Sequence, residues 1–157
     1  MKKVFCDIDN TVADQYLRIR KHFNGKNMHK VLNNEKLILN DRIINHSREA
    51  IKLISKKYEI NWLSARPEKL FDVTKAWLKK KKLPNEKLYL VDSHEKKIRI
   101  LKSNDVGLFI DDMKYDYFNN APKKMTRFIQ KLKRLKIKFI LFDGNWKKAI
   151  NIYEKFF

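Results

Sequence analysis

The chain has little glycine and little proline, three of each among 157 residues. So few glycines leave no room for a Gly-rich phosphate-cradling loop, so nucleotide binding through one is not expected. The scarcity of proline goes with the lack of any low-complexity tract or Pro-rich linker. Cysteine occurs once, at Cys6. That excludes an internal disulfide and a cysteine-based zinc site, and it fits a reducing compartment. Long apolar runs are missing as well, so no membrane span is expected. The first apolar run is broken at Asp7, which predicts no signal peptide and a soluble, cytoplasmic protein. Acids are also under-represented, 18 against 37 Lys and Arg, for a formal charge of +19. Such a charge suits a polyanionic partner, possible nucleic acid among them, or a lysine-rich solvated surface; the dispersal of the lysines favours the second for most of them.

What is present is a globular composition, 43% hydrophobic, in a length that suits one domain. Short apolar runs predict strands at Val4–Cys6, Ile60–Leu63, Leu88–Val91, Gly107–Ile110 and Phe139–Phe142, as in a parallel sheet covered on both faces. Helical stripes lie between them: Ala50, Ile51 and Ile54; Leu70, Val73 and Trp77; Met125, Phe128, Ile129, Leu132 and Leu135 behind Pro122; and Ala149, Ile150 and Tyr153 after the Asp143-Gly144-Asn145 turn. The alternation predicts an α/β, Rossmann-like fold with a parallel sheet of about five strands in a single domain over residues 1–157. Residues 12–46 break the rhythm. Val12, Tyr16, Ile19 and Phe23 have helical spacing, ended at Asn24-Gly25, and a polar stretch without a clear strand runs on to about Ile44. This predicts a small helical cap inserted over the end of the first strand.

The chemistry is concentrated at strand ends. Asp7-Ile8-Asp9-Asn10-Thr11 follows the first strand, and carboxylates two residues apart on an extended chain share a side. They need a cation or a shared proton; the plainer reading is an Asx turn with a helix cap. Ser64-Ala65-Arg66-Pro67 follows the second strand, where a hydroxyl beside a helix start suits a phosphate oxygen or merely an N-cap. Asp111-Asp112 follow the fourth strand, so Asp7, Asp9, Asp111 and Asp112 form a carboxylate cluster if strands one and four are neighbours. Hard oxygen ligands of this kind suit Mg²⁺. His22, His29, His46 and His94 are too scattered for zinc and read as structural or surface residues. Lys97, one turn before Leu101 in a predicted helix from His94, tilts inward towards the acids; Lys96 is the alternative, and both can be surface lysines.

These four elements, in this order, resemble the four motifs of the haloacid dehalogenase superfamily of phosphohydrolases, over nearly the whole chain. The resemblance implies Asp7 as nucleophile, forming an aspartyl-phosphate. It implies Asp9 as the acid and base, with its backbone carbonyl on Mg²⁺, and Asp112 as the main carboxylate ligand supported by Asp111. Ser64, Ala65, Arg66 and Lys97 would hold the phosphoryl group. Ser64-Ala65-Arg66-Pro67-Glu68, with Val73-Thr74, Trp77-Leu78, Leu83-Pro84 and Leu88-Tyr89, is similar to the phosphatase domain of polynucleotide kinase/phosphatases. Phe142-Asp143-Gly144-Asn145-Trp146 resembles small 5′-nucleotidases. Met113 departs from the arginine frequent in those relatives. The expected substrate is therefore a nucleotide or a phosphorylated nucleic-acid end. A sugar phosphate or another small metabolite is the alternative within the fold, and a catalytically idle nucleic-acid-binding module the alternative outside it. Tyr16 can stack on a base from the cap or pack in the stripe with Ile19 and Phe23. Arg20 and Arg66 can grip a second phosphate. Lys123, Lys124, Arg127, Lys131 and Arg134 lie on or near one polar helix face that can track a nucleic-acid backbone.

Overall fold

The computed structural model describes residues 2–115 and 123–156; the helix-start signal at Pro122 lies outside them. Five parallel strands form the central sheet: β1 (Lys3–Cys6), β2 (Glu59–Ser64), β3 (Leu88–Leu90), β4 (Val106–Asp111) and, last in the chain, β7 (Phe139–Leu141). Their order is β3-β2-β1-β4-β7. The five predicted strands are thus all present, each displaced by no more than a residue at either end, and β1 and β4 are neighbours as the carboxylate cluster requires.

Alternation along the strands explains why the runs are apolar throughout. Val4, Cys6, Trp62 and Ile110 enter one core cluster, while Phe5, Leu63 and Phe109 enter the other. The first face is covered by α4 (Ser47–Ser55), α5 (Phe71–Lys80) and α8 (Trp146–Phe156), through Ile51, Ile54, Trp77, Leu78, Trp146 and Tyr153. The second face is covered by α6 (His94–Lys102) and α7 (Thr126–Arg134), through Leu101, Phe128, Ile129 and Leu132. Leu135 departs from its predicted stripe. It is the C-cap of α7 and is 37% exposed, because the helix ends before its side chain can turn inward.

The segment after β1 is more ordered than its polar composition suggested. It holds α1 (Gln15–His22), α2 (Met28–Leu32) and α3 (Glu35–Leu39). Val12 precedes α1 rather than starting it, since Asp14 caps the helix by accepting from the Leu17 amide. Asn27 and Asn34 cap the other two helices by accepting from Lys30 and Leu37. Asparagine caps read as plain polarity along a sequence, which is why both short helices escape a periodicity argument. Ile19, Met28 and Val31 form a small core of their own. The segment is pinned back to the domain where Ile44 donates to the Val12 carbonyl. A two-stranded antiparallel pair, β5 (Lys114–Tyr115) with β6 (Lys123–Lys124), was also missed; two-residue strands carry no periodicity. Among the described residues, no helix is long and apolar enough to cross a membrane.

Candidate active site

Sheet order reverses at β1, and the loops after β1 and β4 diverge there, opening a crevice at the carboxyl edge of the sheet. Asp7 is the first residue beyond β1, and its amide still donates to the Ile110 carbonyl of β4. Past it, Asn10 takes a left-handed conformation (φ 59°) and accepts from the Tyr16 amide at 2.8 Å. Beyond β4, Met113 is also left-handed (φ 48°), and its amide donates to Asp111 Oδ1 at 2.7 Å. Non-glycine residues held there cluster where a loop must aim functional groups. The helix cap expected at Asp9 or Thr11 falls instead at Asp14, while Thr11 donates to Asp7 and Asp9 is paired with Arg66.

Lys97 lies at the centre of one charge cluster. It is fully buried, and its Nζ donates to Asp7 Oδ1 at 2.7 Å and to Asp111 Oδ2 at 2.8 Å. Lys96 is exposed and pairs with Asp92 instead, so of the two candidates Lys97 is the lysine that faces the acids. Burial alone would lower the Lys97 pKa, but Asp111 and Asp7 outweigh it and hold the ammonium charged. Asp7, Asp111 and Asp112 are all buried and can bring one oxygen each within 4.8 Å of one another. Burial, then the charge of Asp111, pushes both Asp7 and Asp112 upward. Three carboxylates facing one ammonium are short of positive charge. Lys97 and the Met113 amide engage the two Asp111 oxygens, and Lys97 and, at 3.4 Å, the Thr11 hydroxyl engage those of Asp7. One ammonium still leaves the three carboxylates with excess negative charge, and this all-oxygen donor set fits a hard divalent cation.

Asp9 lies in a second cluster. Arg66 grips it bidentately, Nε to Oδ2 at 2.9 Å and Nη2 to Oδ1 at 2.7 Å. Arg18 Nη2 is 3.5 Å from the same carboxylate. Burial would raise the Asp9 pKa, but Arg66 and then Arg18 prevail and hold it below the ordinary value. Asp41, buried in the inserted segment, pairs with Arg18 at 3.0 Å and stands 3.8 Å from Arg66. Burial raises Asp41 to about 7 despite Arg18. Arg66 also donates to Thr74 Oγ1, and its amide donates to Ser64 Oγ. Arg66 is thus buried and paired with Asp9, while still bordering the cavity.

Arg20 is exposed, whereas Gln15, Arg18 and Ile19 form the buried face of α1. Two residues turn a helix by about 200°, so Arg20 points away from the site that Arg18 enters. Arg18 and Asp41 were both missed. Asp41 had no signal in sequence, while Arg18 shares a helical face with Gln15 and Ile19. Tyr16 lines a neighbouring cavity beside Asp112 and Lys114 instead of the main one.

The main cavity, about 310 Å³, has Asp7, Asp9, Ser64, Ala65, Arg66 and Asp112 in its wall. His29 and His94 line it too, so two histidines read as structural or surface residues border the site. Of the residues predicted to bind metal or phosphate at this site, Arg20, Lys97 and Asp111 do not reach this wall; Lys97 bridges Asp7 and Asp111.

The fold is found in solved structures. A chain of the Pnkp1/Rnl/Hen1 RNA repair complex superposes with a TM-score of 0.60 at 17% identity, covering 90% of this chain and 42% of that one. The class C acid phosphatase of Bacillus anthracis, with tungstate bound, superposes at 0.57 and 22% identity, covering 98% of this chain and 73% of that one. The chain therefore shares the fold of these solved structures. Among curated proteins it is similar to Putative nucleotidase YqfW of Bacillus subtilis (strain 168), 24% identical over 80 residues. That match takes in 50% of this chain and 41% of the relative, so the chain spans well under half the relative's length. No family model matches the chain.

Proposed function

We propose that this protein is a phosphomonoesterase that uses Mg²⁺ and an aspartyl-phosphate on Asp7, acting on a nucleotide or a phosphorylated nucleic-acid end. The carrying observation is Asp7 itself: a carboxylate in the cavity wall, fixed by Lys97 at 2.7 Å, with Asp9 two residues on and Asp112 beside it. The Bacillus anthracis phosphatase holds tungstate, an oxyanion with the tetrahedral shape of phosphate, and the nucleotidase name of the Bacillus subtilis relative favours a nucleotide. A module that only binds nucleic acid has no use for a nucleophile held in this way.

An oxygen of Asp7 attacks phosphorus and the ester P–O bond breaks. The leaving oxygen takes a proton from Asp9. Water then attacks the acyl phosphate, giving its proton back to Asp9 and releasing Asp7 and inorganic phosphate. Lys97 holds the attacking carboxylate in place and offsets charge as it develops. Ser64 and Ala65, at the end of β2, border the phosphoryl oxygens. Mg²⁺, when bound at Asp7, Asp112 and the Asp9 carbonyl, supplies the remaining positive charge that phosphoryl transfer needs. Arg66 holds Asp9 ionised, so Asp9 can donate a proton only after that pair has opened and its carboxylate has taken one up from solvent. A phosphoryl oxygen that draws the guanidinium away opens it.

Hydrolysis of p-nitrophenyl phosphate should require Mg²⁺ and stop in chelator. Asp7→Asn should lose on the order of 10⁴-fold or more in kcat with an unchanged melting transition. Asp9→Asn should lose about 10²–10⁴-fold. Turnover by Asp7→Asn near the wild-type rate would reject the mechanism. A panel of nucleoside phosphates, phosphorylated oligonucleotides and sugar phosphates then fixes the substrate, and a clear preference for sugar phosphates would reject the nucleotide reading.

A further inference from the structure

His94 borders two cavities. One is the cavity over Asp7, and the other is a larger groove of about 690 Å³, more than twice the volume of the first. The groove has an apolar floor and a basic rim. Met125 and Phe128 are nearly buried and form the floor, where the His94 ring meets Phe128 edge to face at 6.2 Å. Lys124, Arg127 and Lys131 form the rim. Lys131 is bound to Glu95, but among the described residues neither Lys124 nor Arg127 has an ion-pair partner. The polar face predicted from sequence is thereby narrowed, since Lys123 and Arg134 do not line the groove.

An apolar, aromatic floor under cationic side chains suits unstacked bases with their phosphates alongside. Duplex nucleic acid keeps its bases inside and has no use for such a floor. A mononucleotide in the Asp7 cavity would leave the groove empty. We infer that this groove holds a single-stranded stretch of nucleic acid whose terminal phosphate lies in the Asp7 cavity, with Lys124 and Arg127 on its backbone. The groove serves this role in catalysis only if the cavity cleaves phosphomonoesters, as proposed above.

Salt tests this directly. Each phosphate neutralised on a single strand adds about −0.7 to the slope of log affinity against log salt, so two contacts cost about sevenfold between 50 and 200 mM. The measurement is kcat/KM for eight-nucleotide single strands phosphorylated at the 3′ or the 5′ end, beside p-nitrophenyl phosphate. At least one oligonucleotide should lose about sevenfold more than the aryl phosphate does. Lys124→Glu/Arg127→Glu should remove that excess, and Lys124→Gln/Arg127→Gln serves if the reversal does not fold. Lys133→Glu/Lys136→Glu, an equal charge change on exposed lysines outside the groove, should keep it. Equal salt responses for oligonucleotide and aryl phosphate, or equal flattening by both glutamate variants, would overturn the inference while leaving the phosphatase reading intact. If the protein cleaves none of these substrates, the phosphatase reading fails, and anisotropy of a labelled, unphosphorylated eight-mer judges the groove alone. Weaker binding by the Lys124/Arg127 variant only would uphold it, and equal binding by all three proteins would overturn it.

Discussion

Two charge clusters flank the cavity, and they balance differently. Around Asp7, one ammonium faces three carboxylates, Asp7, Asp111 and Asp112. Around Asp9, two guanidiniums, Arg18 and Arg66, face two carboxylates, Asp9 and Asp41. The first cluster is open to a cation and the second is closed. The contrast separates two acids only two residues apart: Asp7 is pushed up, by burial and then Asp111, while Asp9 is pulled down by Arg66 against its own burial. Neighbouring acids with opposed shifts are how one site keeps a nucleophile and a proton carrier distinct. In this geometry, however, it is Asp9, the proton carrier of the proposed mechanism, that is held below its ordinary value. On that mechanism the closed cluster describes the protein before substrate, with Arg66 as the group that has to yield.

Substitution should break the two clusters in opposite directions. Arg66→Gln leaves Asp9 and Asp41 buried with Arg18 alone, and removing one partner of a buried pair typically costs about 3–5 kcal/mol. The same variant should move the alkaline limb of the kcat profile upward, because Asp9 without Arg66 keeps its proton to higher pH. Urea unfolding and a pH–rate profile read both effects. A stable Arg66→Gln protein with an unmoved limb would mean that Arg66 does not control Asp9.

Asp112→Asn should act the other way. The Asp112 carboxyl is raised by burial and then by Asp111, so its charge weakens the metal-free fold, and the neutral amide should leave stability equal or higher. Mg²⁺ should stabilise the wild type by about 2.7 kcal/mol at a hundred times its Kd, and Asp112→Asn should lose most of that gain. Melting curves with and without Mg²⁺ measure this with no turnover involved. An equal rise in Tm for both proteins would place the ion elsewhere.

The open cluster was legible in the sequence, and the closed one only in part. Asp7, Asp111 and Lys97 each lie at a strand end or on an inward helix face, where strand–helix alternation fixes position. Arg66 was singled out as a phosphate grip, but its bidentate hold on Asp9 was not foreseen, because that depends on how two loops meet. Asp41 reaches the site through the inserted segment, whose short helices are set by asparagine caps and a three-residue core rather than by a long stripe. Its carboxylate lies against arginines from α1 and from the β2 loop, a meeting that only the tertiary fold creates. The main sheet was clear for the opposite reason, since helices cover both its faces and each strand carries a short apolar run, interrupted in β2 by Asn61.

The smallest effect concerns His94, at the edge of the open cluster. Burial, and then the charge of Lys97, lowers it from the ordinary 6.5 to about 4. Between those values the unfolded chain binds a proton that the folded chain refuses, so stability falls as pH is lowered from 6.5 towards 4. His94→Gln cannot take up that proton and should escape this part of the loss. With a discount for its partial exposure, the difference at pH 4.5 relative to pH 7 should be about 1–2 kcal/mol. Asp7 and Asp112 titrate in both proteins and cancel in the comparison, provided the substitution leaves their surroundings intact. The measurement is urea unfolding of wild type and variant at the two pH values. Parallel losses would show that the fold does not depress His94, so that in acid its ring would add a positive charge beside the cavity.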